Sequence, residues 1–261
     1  MAERIISFDS HGTLLHGILR EPVRGVVRGL VLICDPFAEE KKCAHRPLTD
    51  LARAMVQTGL AVMRFDYRGT GDSAGEFQHF TPDDWRADIH AAADFARREV
   101  GLSRLTLAGL RMGANLALSA ACDRDDVNRV ILWEPVLDGK QYVSQNMRRS
   151  LVKAMLTAGD EFKAATVTEA HAQAVVDFDG YTVTGAARLQ LEALRLAPFP
   201  GAALLAHIGP KEEPGPAYVA AAQALPQCTA RGLRLEPFWN RIGLMDVTPL
   251  AELTMGWLAG R

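Results

Sequence analysis

The sequence predicts an α/β fold: a mostly parallel, eight-stranded sheet with helices on both faces and a helical cap. Three observations carry that expectation. Short apolar runs alternate with helix-length amphipathic segments, as in a parallel sheet covered on both sides. The first two runs are instead joined by a tight turn, so the sheet starts antiparallel. A loop rich in glycine follows the fourth run, where the backbone must take special dihedrals.

The first two strands fall near residues 4–9 and 13–20, joined by Ser10-His11-Gly12. Strand-like runs follow at 30–34, 60–65, 105–108, 130–133 and 203–207, and near 233–238. Helical spacing marks 47–58, 82–100 and 112–122 between them. Thr81-Pro82-Asp83-Asp84 is a helix start, with a Thr cap, Pro in the first position and acids at the positive end of the dipole. Later helices are expected near 189–196 and 218–225 and over 250–258. From about 139 to 189 the chain is polar and helical with no buried strand. That stretch reads as an inserted cap of two or three helices (139–189) on a core of 1–138 and 190–261.

Lys and Arg total 29 and Asp and Glu 31 among 261 residues, so the net charge of −2 lacks the basic excess of a nucleic-acid binder. No apolar run approaches the roughly 18–20 residues that cross a bilayer. The start, Met1-Ala2-Glu3-Arg4-Ile5-Ile6-Ser7-Phe8, reads as a first strand and not as a signal peptide, which implies a cytoplasmic protein. Cys34, Cys43, Cys122 and Cys228 show no paired spacing and read as reduced thiols. The scattered histidines offer no metal-ligand pattern, and no cofactor is expected.

The most informative stretch is Phe65-Asp66-Tyr67-Arg68-Gly69-Thr70-Gly71-Asp72-Ser73-Ala74-Gly75. Its glycines are spaced GxGxxxG and no helix follows directly, so a phosphate-binding loop does not fit. The run resembles the D-x-R-G-x-G-x-S loop of the α/β-hydrolase superfamily, in its serine aminopeptidase-like branch. Gly109-Leu110-Arg111-Met112-Gly113 stands where that superfamily has its G-x-S-x-G nucleophile elbow. Asp35-Pro36-Phe37-Ala38-Glu39-Glu40 stands at its oxyanion loop. With Trp133-Glu134-Pro135-Val136, Gly180-Tyr181 and Pro237-Phe238-Trp239, the chain resembles the second type of exosortase A system-associated hydrolase. The resemblance implies the fold and a setting in bacterial surface-polysaccharide or protein-sorting gene clusters. It implies little about chemistry.

A serine hydrolase needs a nucleophile, a base and an acid that orients the base. The resemblance puts Arg111 at the elbow, and a guanidinium is permanently protonated. No histidine follows His207, so the base position holds Glu236-Pro237-Phe238-Trp239-Asn240-Arg241. Glu212 or Glu213 fills the acid position with no base to orient. Ser73 reads as a turn residue and Cys34 as part of a strand.

A cation at the start of a helix is unfavourable unless an anion compensates it. Asp35, Glu39, Glu40 and Glu134 are the acids within reach. Two readings stand: Arg111 pairs with Asp35 or Glu134 and plugs the site, or Arg111 binds a ligand carboxylate or phosphate. If the protein is an enzyme, Glu134 or Asp35 handles the proton, and Arg111 with the Phe37 and Met112 amides holds the anion. Glu39, His207 and Trp239 complete the expected binding residues. The reading that follows is a protein without a Ser-His-Asp triad that binds a small molecule bearing a carboxylate, carbonyl or phosphate, with non-covalent acid/base catalysis. Its rivals are a non-catalytic pseudo-hydrolase acting as a binding or assembly subunit and an ester hydrolase with a displaced triad. A homodimer through an edge strand or the cap is compatible with the sequence.

Overall fold

The computed structural model describes residues 1–158 and 175–260. The chain opens with an antiparallel hairpin of β1 (Ala2–Ser10) and β2 (Thr13–Glu21), with His11 and Gly12 at positive φ in its turn. Strand–helix alternation follows: β3 (Gly29–Cys34), α1 (Glu39–Gln57), β4 (Leu60–Phe65), α2 (Pro82–Val100), β5 (Leu105–Leu110), α3 (Met112–Cys122) and β6 (Val127–Trp133). Next come α4 (Gly139–Ala158), the short strands β7 (Val176–Asp177) and β8 (Thr182–Val183), and α5 (Gly185–Glu192). The chain closes with β9 (Ala202–Gly209), α6 (Pro216–Gln223), β10 (Gln227–Arg234), a 3₁₀ turn at Phe238–Asn240 and α7 (Thr248–Leu258).

Eight strands form one sheet in the order β1-β2-β4-β3-β5-β6-β9-β10. β2 runs antiparallel to β1 and β4, and every other pairing is parallel. The central strands β3, β4, β5, β6 and β9 are largely buried on both faces, and successive residues of one strand face opposite sides. Leu30, Leu32, Leu107, Val130 and Leu132 pack in one core with α2 and α3. Val31, Ile33, Ala108, Leu110, Ile131 and Trp133 pack in the other with α1 and α7.

Several boundaries differ from the sequence reading, and the helix expected near 189–196 runs over Gly185–Glu192. Helix α1 begins at Glu39, well before Pro47, which lies inside it. The acids Glu39 and Glu40 fall in its first turn, where the helix dipole favours them. The last strand is Gln227–Arg234, not 233–238, because an outer edge strand of half-exposed Gln-Cys-Thr-Ala-Arg-Gly-Leu-Arg carries no apolar alternation. In the stretch expected to form a cap, Val176 and Val183 are buried in the β7–β8 pair, so the segment is not free of buried strands. Residues 159–174 of that stretch lie outside the described residues. Among the described residues no helix is long and apolar enough to cross a membrane.

Candidate functional site

β5 ends at Leu110 and α3 begins at Met112, so Arg111 alone turns the chain. It does so at φ 56° and ψ −126°, a conformation that costs an L residue about 1–3 kcal/mol. The flanking glycines allow the turn. A Cβ on Gly109 would stand 2.4 Å from the Gly113 carbonyl oxygen, and one on Gly113 would stand 2.3 Å from the Asp35 carbonyl oxygen. The Arg111 amide donates to the Trp133 carbonyl at 3.0 Å and locks the turn to β6. Ala38, at the start of α1, has nearly the same dihedrals (φ 50°, ψ −128°). The strain therefore belongs to the strand-to-helix junction, and the side chain decides its chemistry.

The Arg111 guanidinium is largely buried. Its Nε donates to Glu40 Oε1 at 3.3 Å and its Nη1 to the Glu134 carbonyl at 3.3 Å. It also lies against two aromatic faces, 5.4 Å from the Tyr142 ring centre and 5.3 Å from that of Trp239. Burial opposes the charge, but Glu40 together with Tyr142, Glu134 and Tyr218 outweighs it, and the Arg111 pKa lies above its ordinary value. Glu40 Oε2 accepts from the Tyr142 hydroxyl at 3.0 Å, and Arg149 stands 3.9 Å from Oε1. Burial, then the Glu40 charge, pushes the Tyr142 hydroxyl well above its usual pKa.

Glu134 follows β6 at φ 45°. Its carboxylate is occupied: Oε2 accepts from the Ile208 amide and Oε1 from the Tyr218 hydroxyl, both at 2.6 Å. Burial raises its pKa, while Tyr218, the Ile208 amide and Arg111 hold the rise back. Tyr218 stacks on His207 at 4.2 Å, and His207 Nδ1 accepts from the Gly215 amide at 3.0 Å.

Asp35 does not meet Arg111. Its buried carboxylate takes three hydrogen bonds from Arg64 (3.0–3.3 Å) and one from Lys41 (2.7 Å). Burial penalises that charge, but Arg64 and Lys41 outweigh it and hold the Asp35 pKa below the ordinary value. The expected Arg111–Asp35 pair is thus replaced by Arg111–Glu40, and Asp35 is committed to a different ion cluster.

The remaining expected residues are placed as follows. Phe37 is buried against Phe77, Trp85 and Phe178. Met112 is buried at the first position of α3. Glu39 pairs with Lys42 at 3.5 Å. Trp239, in the 3₁₀ turn after β10, packs on Arg111 near the position where the resemblance expects a base. Ser73 Oγ donates to the Asp66 carbonyl at 2.6 Å and accepts from the His16 amide at 2.9 Å, so it holds the glycine-rich loop. Cys34 is buried, and burial with the Asp35 charge raises its thiol pKa far above the ordinary value. Tyr142, Gln145 and Tyr218 join the site without having been singled out for it, and Arg149 joins them from α4.

Arg111 separates two recesses. One, of about 360 Å³, is lined by Glu40, Arg111, Gln145, Arg149, Trp239 and Asn240, with Asn146 behind. The other, of about 220 Å³, lies on the Glu134 side and includes Asp138, Tyr142 and Tyr218. The larger holds two guanidiniums against one carboxylate, a composition suited to an anion. Among the described residues no group of three or more His, Cys, Asp or Glu side chains is arranged to hold a metal ion.

This strand order, with a sharp glycine-flanked turn between β5 and α3, defines an α/β-hydrolase fold. More narrowly, the chain belongs to the family described as serine aminopeptidase, S33, whose model matches residues 25–180. An Escherichia coli protein described as an uncharacterized 31.7 kDa protein in the traX-finO intergenic region is 27% identical over 133 residues. That match spans 50% of this chain and 46% of the relative. Among solved structures, Est1E from Butyrivibrio proteoclasticus with bound ferulic acid has a TM-score of 0.71 at 19% identity, covering 98% of each chain. The esterase domain of a Rhodothermus marinus protein has a TM-score of 0.66 at 19% identity, also covering 98% of each chain. Likeness at that identity establishes the shared fold and nothing finer.

Proposed function

We propose that this chain is a hydrolase-fold protein that performs no acyl-enzyme chemistry and holds a small anion, a carboxylate or phosphate, in the recess between Arg111 and Arg149. The observation that carries the reading is the elbow itself. The side chain there is a permanent cation with two 3.3 Å contacts, to Glu40 and to the Glu134 carbonyl, leaving donors over. Arg149 supplies a second cation on the same recess. The motif resemblance to exosortase A system-associated hydrolases supports a bacterial gene-cluster setting for such a binding subunit.

Glu134 fits acid/base catalysis less well. Its raised pKa suits a proton carrier, but both of its oxygens already accept short hydrogen bonds. A serine hydrolase with a displaced triad fits least. Ser73 is tied into its loop, and burial holds Cys34 protonated.

Isothermal titration with benzoate, succinate and inorganic phosphate tests the proposal. Saturable binding of at least one is expected, lost in Arg149→Ala and weakened in Arg111→Ala, while Glu212→Ala behaves as wild type. No binding by any of the three, or binding unchanged in both arginine variants, overturns it.

A further inference from the structure

A cavity of about 580 Å³ opens at the far end of the sheet from the elbow, where β3, β4, β5 and β6 begin. Its floor includes Val31 and Leu60, and the last turns of α7 form its roof. That volume and apolar lining are typical of small-molecule sites. Gly256 lines it from inside α7, and a Cβ there would meet nothing within 4 Å. Glycine inside a helix is destabilising relative to alanine. No neighbour crowds this position, so the missing side chain leaves the space open. At the rim, Arg28 has no side-chain hydrogen bond or ion pair among the described residues. Arg129 gives one nitrogen to the Leu258 carbonyl at 3.0 Å and lies over the Trp257 ring. Glu252 is the one carboxylate among the lining residues.

We propose that this cavity is a second ligand site, independent of the elbow, for a small amphipathic anion. Its apolar body lies on Val31, Leu60, Met255 and Leu258, and its single carboxylate or sulfonate meets Arg28 and Arg129. The apolar floor supplies burial, and two guanidiniums against one carboxylate set the sign of the charge it accepts.

The test titrates the full chain with 8-anilinonaphthalene-1-sulfonate and, separately, with the uncharged N-phenyl-1-naphthylamine. The sulfonate is expected to bind at a single site. Gly256→Leu fills the cavity and weakens both dyes about tenfold or more, since the space they occupy is gone. Thr106→Phe fills it from β5 and gives the same loss, which separates occlusion from damage to α7. The Arg28→Ala/Arg129→Ala double variant weakens the sulfonate about tenfold and leaves the uncharged dye within about twofold. Arg111→Ala changes none of these values. Sulfonate binding unaffected by both filling variants, equal loss of both dyes in the arginine double variant, or no sulfonate binding to the wild type overturns the proposal.

Discussion

Arg68 and Arg111 are both buried guanidiniums, held in opposite ways. Arg68 gives Nε and Nη2 to Asp88 at 2.9 and 2.6 Å and Nη2 again to the Ser10 hydroxyl at 3.0 Å. Its own amide donates to the second Asp88 oxygen at 2.9 Å. Arg111 makes two contacts at 3.3 Å, one of them to a carbonyl, and rests otherwise on aromatic faces beside two recesses. The difference separates two uses of one side chain. Arg68 is committed to tying the glycine-rich loop to α2. Arg111 neutralises a strained junction and keeps donors for something else.

The sharpest break of this contrast is in stability. Arg68→Ala leaves the Asp88 carboxylate buried and uncompensated, and urea unfolding is expected to show a loss of about 3–5 kcal/mol. Arg111→Ala is expected to cost less, about 1–3 kcal/mol, because Glu40 keeps the Tyr142 hydroxyl and the Arg149 charge. Arg111→Gly should recover about 1 kcal/mol of that loss, since glycine takes the positive φ without strain. Equal losses for Arg68→Ala and Arg111→Ala would erase the distinction.

Acidity sharpens it further. The Glu134 pKa is raised by burial, so the native state holds its proton more tightly than the unfolded chain does. Wild type therefore loses stability relative to Glu134→Gln as pH rises from the ordinary glutamate value of about 4.3 toward neutrality. Asp35, held low by Arg64 and Lys41, has the opposite sign. Its contribution is present above the ordinary aspartate value and lost as pH falls through the depressed one. The deficit of Asp35→Asn is thus largest at neutral pH. Unfolding curves at pH 4, 5.5 and 7 check the Glu134 slope, and curves carried from pH 4 down to pH 2.5 check that of Asp35. Ser73→Ala is expected to cost about 1–2 kcal/mol from two lost hydrogen bonds to backbone, with ligand binding at the elbow unchanged.

Where local chemistry is explicit, the sequence is readable to the residue. α2 starts at Pro82 as its Thr cap and acids require, and the Thr81 amide donates to Asp84 at 2.8 Å. The two glycines around Arg111 mark the elbow because no Cβ fits at either position. The partner of Arg111 was less legible. Asp35 and Glu40 lie close in sequence, and choosing between them depends on where α1 begins, which Pro47 disguises. With the helix starting at Glu39, Glu40 falls in its first turn and reaches Arg111, while Asp35 stays at the end of β3 with Arg64. Tyr142 and Arg149 come from α4, where nothing in the residue pattern says which face covers the elbow.

The proposed function requires that no side chain at this site form a covalent acyl-type intermediate. Intact-mass analysis after incubation with a fluorophosphonate, alongside p-nitrophenyl acetate turnover, tests it most directly. The account predicts an unmodified mass and turnover no faster than buffer. A stoichiometric adduct mapped to any serine or cysteine beside Arg111 would contradict it.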